Sequence, residues 1–417
     1  MQALSTSARL LSANPQKRNV MSSPIRNLPR GMILLLAAAS ALGPVAMQIL
    51  LPAVPVLREH FNVGAGMAQL TLSLSMLSIA FSTLFYGPLS DRFGRRPVLL
   101  GGIAVALVGS LLCVLAPSIE LLIAGRVIQA AGGSVGLVVA RAIIRDTHDA
   151  VDSTRLISTL VMVMVVMPML SPAVGGELMV RFDWHSVFYL VAGMSLFLLL
   201  ALGIRLPETL KEPVMFTGIL DMLRGFVLLL RSRAFRGYTL TLAFVSVMFF
   251  SFISAAPEIM VTVLDRPATE YGYYYMLIPA GFILGNYMTR HLLPRIGAHR
   301  MIDVGSVISV SGILIAITLQ LLGQQHPITL FLPITLTTFG NGLSLPSAQA
   351  AAINEFPEMA GSASGLTGFV QWLFSAAAAQ LVALIFNGTV YPMLVMMLIA
   401  GILSLLSFRL NVTRTAD

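Results

Sequence analysis

Long apolar runs, separated at near-regular intervals by short polar or Gly/Pro-containing stretches, organise this chain from end to end. Twelve runs reach the roughly 20 residues a helix needs to cross a hydrocarbon core of about 30 Å. They lie at roughly 32–57, 67–89, 97–117, 119–142, 155–180, 184–205, 237–262, 272–294, 300–322, 327–350, 359–386 and 390–409. None shows the period-two alternation of a barrel strand, so each predicts a helix. The longest connection, about 206–236, divides six runs from six. Within it Phe216, Ile219, Leu220, Leu223 and Val227 recur at helical spacing, which predicts an amphipathic helix lying on the membrane surface. The expected organisation is a tail over 1–31, a six-helix bundle over 32–205, a connection over 206–236, a second bundle over 237–409 and a tail over 410–417.

Composition sharpens this picture. Of the 417 residues, 57% are hydrophobic and only 11% charged, where a soluble protein of ordinary composition has about a quarter charged. Mean hydropathy is +0.86. Such a chain cannot cover itself with polar surface, so lipid must solvate it. The net charge of +8 reports topology, not nucleic-acid binding. Of 26 Lys and Arg, Arg126 lies within a run, and only Arg58, Arg181 and Arg266 fall on the side opposite the tails. By the excess of Lys and Arg in cytoplasmic loops, both tails are expected inside the cell. The first thirty residues are basic and lack acids. Ala39-Ser40-Ala41 mimics a cleavage site, yet the apolar run continues past it, so a cytoplasmic tail is expected and not a signal peptide. Met21 is an alternative start.

The sole cysteine, Cys113, excludes an intrachain disulfide, and the six histidines show no metal-ligand spacing. The phosphate-binding pattern G-x-x-x-x-G-K-[ST] does not occur. An intramembrane enzyme would need clustered His, Asp or Ser groups within the runs, which hold only dispersed singletons. Neither catalysis nor a cofactor is expected.

One loop concentrates charge between the second and third runs. Tyr86-Gly87-Pro88-Leu89-Ser90-Asp91-Arg92-Phe93-Gly94-Arg95-Arg96-Pro97 carries four charges and two glycines. Its order, G-x-L-x-D-R-x-G-R-R, resembles the loop between helices two and three of major facilitator transporters. The resemblance implies two pseudo-symmetric six-helix bundles around a central binding site. It also gives Asp91 a gating role, with Gly87, Gly94, Arg92, Arg95 and Arg96 shaping the loop. In that family the acid faces the N-terminus of the eleventh helix, here near Met359–Ser362, where the helix dipole favours negative charge. Between the eighth and ninth runs, Leu293-Pro294-Arg295-Ile296-Gly297-Ala298-His299-Arg300 reads as a degenerate second copy. It is shifted by about 203 positions, with Pro294 in place of the acid.

Further segments refine the resemblance. Arg126 and Gln129 resemble the family's R-x-x-Q-G motif, in which the Arg is implicated in proton coupling. A cation at mid-span costs roughly 2.5–3.5 kcal/mol, so Arg126 must face a cavity or a partner, or snorkel. Pro168, Ser171, Pro172, Gly175 and Gly176 resemble the fifth-helix signature of antiporters. Leu51-Pro52-Ala53-Val54-Pro55, Glu270-Tyr271-Gly272-Tyr273-Tyr274 and Phe356–Ser364 resemble the branch typified by bicyclomycin and chloramphenicol exporters. The implied function is export of drug-like compounds from the bacterial inner membrane, driven by the proton gradient, by a monomer. An exporter or importer of a small metabolite is the alternative. That branch usually places an Asp where this chain has Gln48. Glu177 and Glu258 then become the candidate proton carriers beside Arg126, and Asp303 is expected to be structural.

Candidate cavity residues are Gln48, Gln129, Met164, Gln371 and Trp372. Of the methionines in the fifth run only Met162 and Met169 share a helical face, and ordinary packing is expected for most. Phe249 and Phe250 are open between packing and cavity, and Tyr273, Tyr274 and Tyr275 are expected to form an interfacial aromatic belt.

Overall fold

Two residues with positive φ mark the turns around which the halves are built. Gly94 (φ 101°) separates span 2 from span 3, and Gly297 (φ 78°) separates span 8 from span 9. This region of backbone space is open to glycine and costly for residues with a Cβ. The computed structural model describes residues 28–210, 219–267 and 270–412. The basic stretch 1–27 with Met21, residues 211–218 with Phe216, and the last residues 413–417 lie outside the described residues.

All described regular structure is helical. Spans 1 to 6 are Arg30–His60, Ala65–Phe93, Arg95–Val114, Ile119–Thr147, Ala150–Arg181 and His185–Arg205. A helix over Ile219–Arg231 then lies in the central connection. Span 7 is Arg233–Thr262. Spans 8 and 9 form one bent apolar stretch, Tyr271–Leu321, broken at Gly297, and spans 10 to 12 are Pro327–Asn354, Ala360–Leu384 and Tyr391–Asn411. An even number of spans returns both described ends to one face, which also carries Arg92, Arg95, Arg96, Arg295 and Arg300. We call it the basic face and its opposite the far face.

The helix Ile219–Arg231 buries Phe226 and Leu229 against a small apolar cluster with Leu242 and Phe408, while Leu223 and Val227 remain exposed. One face therefore docks on the second bundle and the other is free for lipid.

Glycines set the packing inside each half. A Cβ on Gly109 would stand 2.3 Å from the Gln129 backbone nitrogen, and one on Gly102 would meet Val135. Spans 3 and 4 are therefore in backbone contact. In the second half Gly312 and Gly305 bring span 9 equally close to span 10, at 2.6 Å from the carbonyls of Pro333 and Gly340. Gly102 and Gly305, Gly109 and Gly312, and Gly94 and Gly297 are each separated by 203 positions, so the halves share both turn and packing sites. Such small-residue contacts substitute for the hydrophobic driving force that lipid does not supply.

Span 4 runs to Thr147, five residues beyond the sequence expectation of 142. Arg141, at the very end of the sequence-expected run, is thereby placed six residues inside the span.

Candidate functional site

Proline and glycine in span 5 shape the first wall of a central cavity. Pro168 and Pro172 lie inside the helix, and the carbonyl of Pro168 is taken up by the Ser171 hydroxyl at 2.8 Å. Gly175 lets span 5 lie against span 1, since a Cβ there would be 2.3 Å from the Ile49 carbonyl oxygen, and Gly176 is buried beside it. Met164, Pro168 and Met169 then face a cavity of about 230 Å³ between the two bundles.

Gln48 of span 1 joins this wall. The second bundle supplies Ser246, Phe249 and Phe250 from span 7, Tyr275 at the start of span 8, and Thr338 and Asn341 from span 10. The Tyr275 hydroxyl donates a hydrogen bond to Gln48 Oε1, joining the bundles at the cavity. Gln371 and Trp372 stand one layer back. Ser246 donates to Gln371 Oε1 at 3.2 Å, and the Trp372 ring lies 5.3 Å from that of Phe250. Among the described residues, no charged side chain lines the cavity. An apolar, thioether and aromatic wall with a few neutral donors and acceptors suits amphipathic molecules of varied shape.

Arg126 does not snorkel and does not reach this cavity. It is 1% exposed inside the first bundle. Its guanidinium donates to the Ala46 carbonyl at 3.0 Å, to the Thr71 carbonyl at 3.4 Å and to Gln129 Oε1. Gln129 in turn donates to Ser110 Oγ at 2.8 Å. Nη2 of Arg126 has no partner among the described residues. Gln129 is thus the side-chain acceptor of a buried cation and is kept from the cavity by it.

Glu177 and Glu258 both lie at the far face and both bond across the bundles. Glu258 of span 7 pairs with Arg58 at the end of span 1. Glu177 accepts from the Tyr273 hydroxyl and lies 3.5 Å from Arg181. Their environments differ, since the Glu258 side chain is 13% exposed and that of Glu177 is 46% exposed. Gln380 of span 11 adds two more crossings, accepting from Ser73 at 2.7 Å and donating to the Gly66 carbonyl at 2.9 Å. Span 8 also presses on span 5 here, for a Cβ on Gly272 would be 2.5 Å from Ala173 Cα. The hydrogen bonds described between the bundles all lie in the half of the molecule towards the far face. Nearer the basic face spans 2 and 11 touch through apolar side chains, with Phe81 edge-on to Phe369 at 5.3 Å.

The charged loop is organised by partners that the sequence did not disclose. Arg95 pairs with Asp91, bonds Ser90 Oγ at 2.7 Å and reaches Asp146 in the last turn of span 4 at 2.9 Å. Glu208, just after span 6, accepts from the backbone nitrogens of Arg95 and Arg96 at 3.0 and 3.2 Å, capping span 3 where its dipole favours an anion. Arg96 bonds the Gly203 carbonyl at 2.6 Å, Arg92 lies over the Phe93 ring, and Gly87 approaches Val138 of span 4. In this conformation no hydrogen bond links Asp91 to residues 359–362 among the described residues. Its partner is Arg95, on its own bundle.

Other expectations also change. Tyr275 is 1% exposed and lines the cavity instead of joining a belt, and Tyr274 packs on Phe331. Only Tyr273 is exposed at the rim. Three adjacent residues on a helix point about 100° apart, so the three tyrosines take three different environments and the expected belt does not form. Asp303 is held by Arg409 of span 12 at 2.7 and 2.9 Å. Asn341 and Thr338 carried no sequence signal, because single polar residues in span 10 look alike whether they face a neighbour or a cavity.

With this geometry in view, the comparisons with known proteins agree. The family model of the Major Facilitator Superfamily matches residues 36–379. A bicyclomycin resistance protein homolog of Haemophilus influenzae is 27% identical over 378 residues, covering 90% of this chain and 94% of the relative. Multidrug resistance protein D of Escherichia coli K12 is 29% identical over 355 residues, covering 85% and 89%. Among solved structures, a bacterial homolog of the human lysosomal transporter Spinster, inward-facing and unoccupied, superposes with a TM-score of 0.74 at 15% identity, covering 92% of this chain and 97% of that one. A proton:xylose symporter superposes with a TM-score of 0.68 at 14% identity, covering 90% and 94%.

Proposed function

Because the chain belongs to the major facilitator superfamily, we propose that it exports small amphipathic, drug-like compounds from the bacterial cytoplasm in exchange for protons. The cavity between the bundles carries this reading. It is walled by both halves, apolar and aromatic over most of its surface, and furnished with neutral hydrogen-bonding groups. Relatives named for bicyclomycin and multidrug resistance, aligned over most of their length, support the same substrate class.

In this reading the basic face is cytoplasmic, in accord with the loop charges, and the far face is external. The structure is then closed to the outside. Export requires the crossings at Arg58–Glu258, Tyr273–Glu177, Tyr275–Gln48 and Gln380 to open while the basic face closes, with Asp91 engaging the start of span 11. Gln48 cannot titrate, so the proton needs another acid. Glu258 is the best placed, because it is enclosed at the external side and its charge holds the bundles together through Arg58. A proton from outside would neutralise it and free Arg58. One proton moving down 100 mV supplies roughly 2.3 kcal/mol, a useful driving force with no cofactor. The working unit is one chain, because each half contributes one wall.

The test is drug susceptibility and dye efflux in an efflux-deficient bacterium, with and without a protonophore. Expected are raised resistance and efflux that the protonophore abolishes. Accumulation indifferent to the proton gradient for every compound tried would remove the antiport reading.

A further inference from the structure

Arg141 is a second arginine within span 4, and it stands directly behind the cavity wall, against Met164. Its Nη2 is 3.8 Å from the sulfur of Met164, a cavity-lining residue, and its Nε is buried with no partner among the described residues. Among the described residues no carboxylate pairs with it. This distinguishes it from Arg95, held by Asp91 and Asp146, from Arg58, held by Glu258, and from Arg409, held by Asp303. It also differs from Arg126, whose guanidinium is occupied by two carbonyls and Gln129.

The local sequence explains the placement. In the segment Val135–Thr147, residues Val135, Val139 and Ile143 form the buried stripe against the bundle. Arg141 lies on another face, and Arg145, four residues on, shares that face. Arg145 is exposed at the basic face. Two cations one helical turn apart thus lead from that face to Met164, whose other side faces the cavity. The cavity lining itself holds no acid, and Gln48 is neutral where the related branch has Asp.

A thioether is a weak acceptor for a guanidinium. A low-dielectric setting raises the value of an ionic partner, and the planar fork of Arg matches a carboxylate with two hydrogen bonds. We propose that Arg141 is the recognition group for an anionic moiety, a carboxylate, on the transported amphiphile. Met164 moves aside as the carboxylate docks, and the apolar body of the substrate lies against Phe249, Phe250 and Met169. Gln48 and Tyr275 bind neutral polar groups at the other end. Lipophilic cations, which need an acid in the cavity, are disfavoured. This inference rests on the export reading and narrows its substrate class.

The experiment is calorimetric titration of the full-length protein in lipid nanodiscs with three probes that share one apolar body: naphthalene-2-acetate, naphthalene-2-acetamide and 2-naphthylethylammonium. Wild type is expected to bind the acetate at least about tenfold more tightly than the amide, about 1.4 kcal/mol, and the ammonium weakest. Arg141→Gln is expected to bring acetate and amide to equal affinity with amide binding unchanged, and Arg141→Lys to restore part of the preference. Failure of wild type to bind the acetate, equal binding of the three probes by wild type, or a preference that survives Arg141→Gln would overturn the proposal. Should Arg141→Gln fail to fold, the wild-type ranking decides. The two readings separate cleanly. Protonophore-sensitive export of a neutral drug without acetate preference keeps export and removes the role of Arg141. Acetate preference without any proton-dependent export does the reverse.

Discussion

Gln48 and Gln129 show how one residue type takes two roles by position. Gln48 faces the cavity and receives the Tyr275 hydroxyl. Replacing it with Asp would put an ionisable group at the centre of the wall. Gln48→Asp is expected to admit lipophilic cations and to make efflux more dependent on pH, measured as ethidium efflux across a pH series. Gln129 instead supports Arg126, and a hydrogen bond to a charged group contributes roughly 1.5–3 kcal/mol. Gln129→Leu should therefore lower the melting temperature of the purified protein markedly, while Gln129→Glu, which keeps an acceptor, should not. Equal melting temperatures would show that the backbone carbonyls alone satisfy Arg126. From sequence both glutamines were candidate cavity residues, because the chain order does not say which helical face meets a neighbouring helix.

At the scale of elements, the contact of spans 3 and 4 is set by the absence of side chains. Gly109→Leu must push span 3 away from the Gln129 backbone, 2.3 Å from the new Cβ. It is expected to abolish recovery of monodisperse protein on size exclusion, whereas Gly193→Ala, with nothing within 4 Å of its Cβ, is expected to be tolerated. Spans were readable in the sequence because crossing a bilayer demands length and apolarity, which are local properties. Their ends were less so. Span 4 extended past its apolar run, because Val139, Ile143 and Thr147 bury one face of the last turns against the bundle while arginines occupy another. The surface helix was legible from its periodicity, yet its docking through Phe226 and Leu229 required the second bundle to be present.

For the molecule as a whole, transport in the proposed cycle depends on opening the far face, and the Arg58–Glu258 pair is its most direct lock. Either Arg58→Glu or Glu258→Arg alone is expected to impair active efflux by setting like charges together, and the two combined are expected to recover part of it. A thiol cross-link between Arg58→Cys and Glu258→Cys should arrest efflux until reduced. Cys113, the only native cysteine, is buried and does not compete. Efflux that continues through the cross-link would show that this side need not open.

What the sequence by itself determined is the number of spans, their class, the duplicated turn at Gly94 and Gly297, and the family. Each follows from local hydrophobicity, glycine backbone freedom or a contiguous motif. Tertiary structure alone decided the partnerships: Glu208 capping span 3, Glu258 meeting Arg58, Tyr275 meeting Gln48, and Arg141 standing behind the cavity wall with no acid partner among the described residues. These pairs join residues far apart in the chain, on helices whose rotation is fixed only by packing against other helices. The hydrophobic pattern of a span bathed in lipid on one side and protein on the other does not encode that rotation.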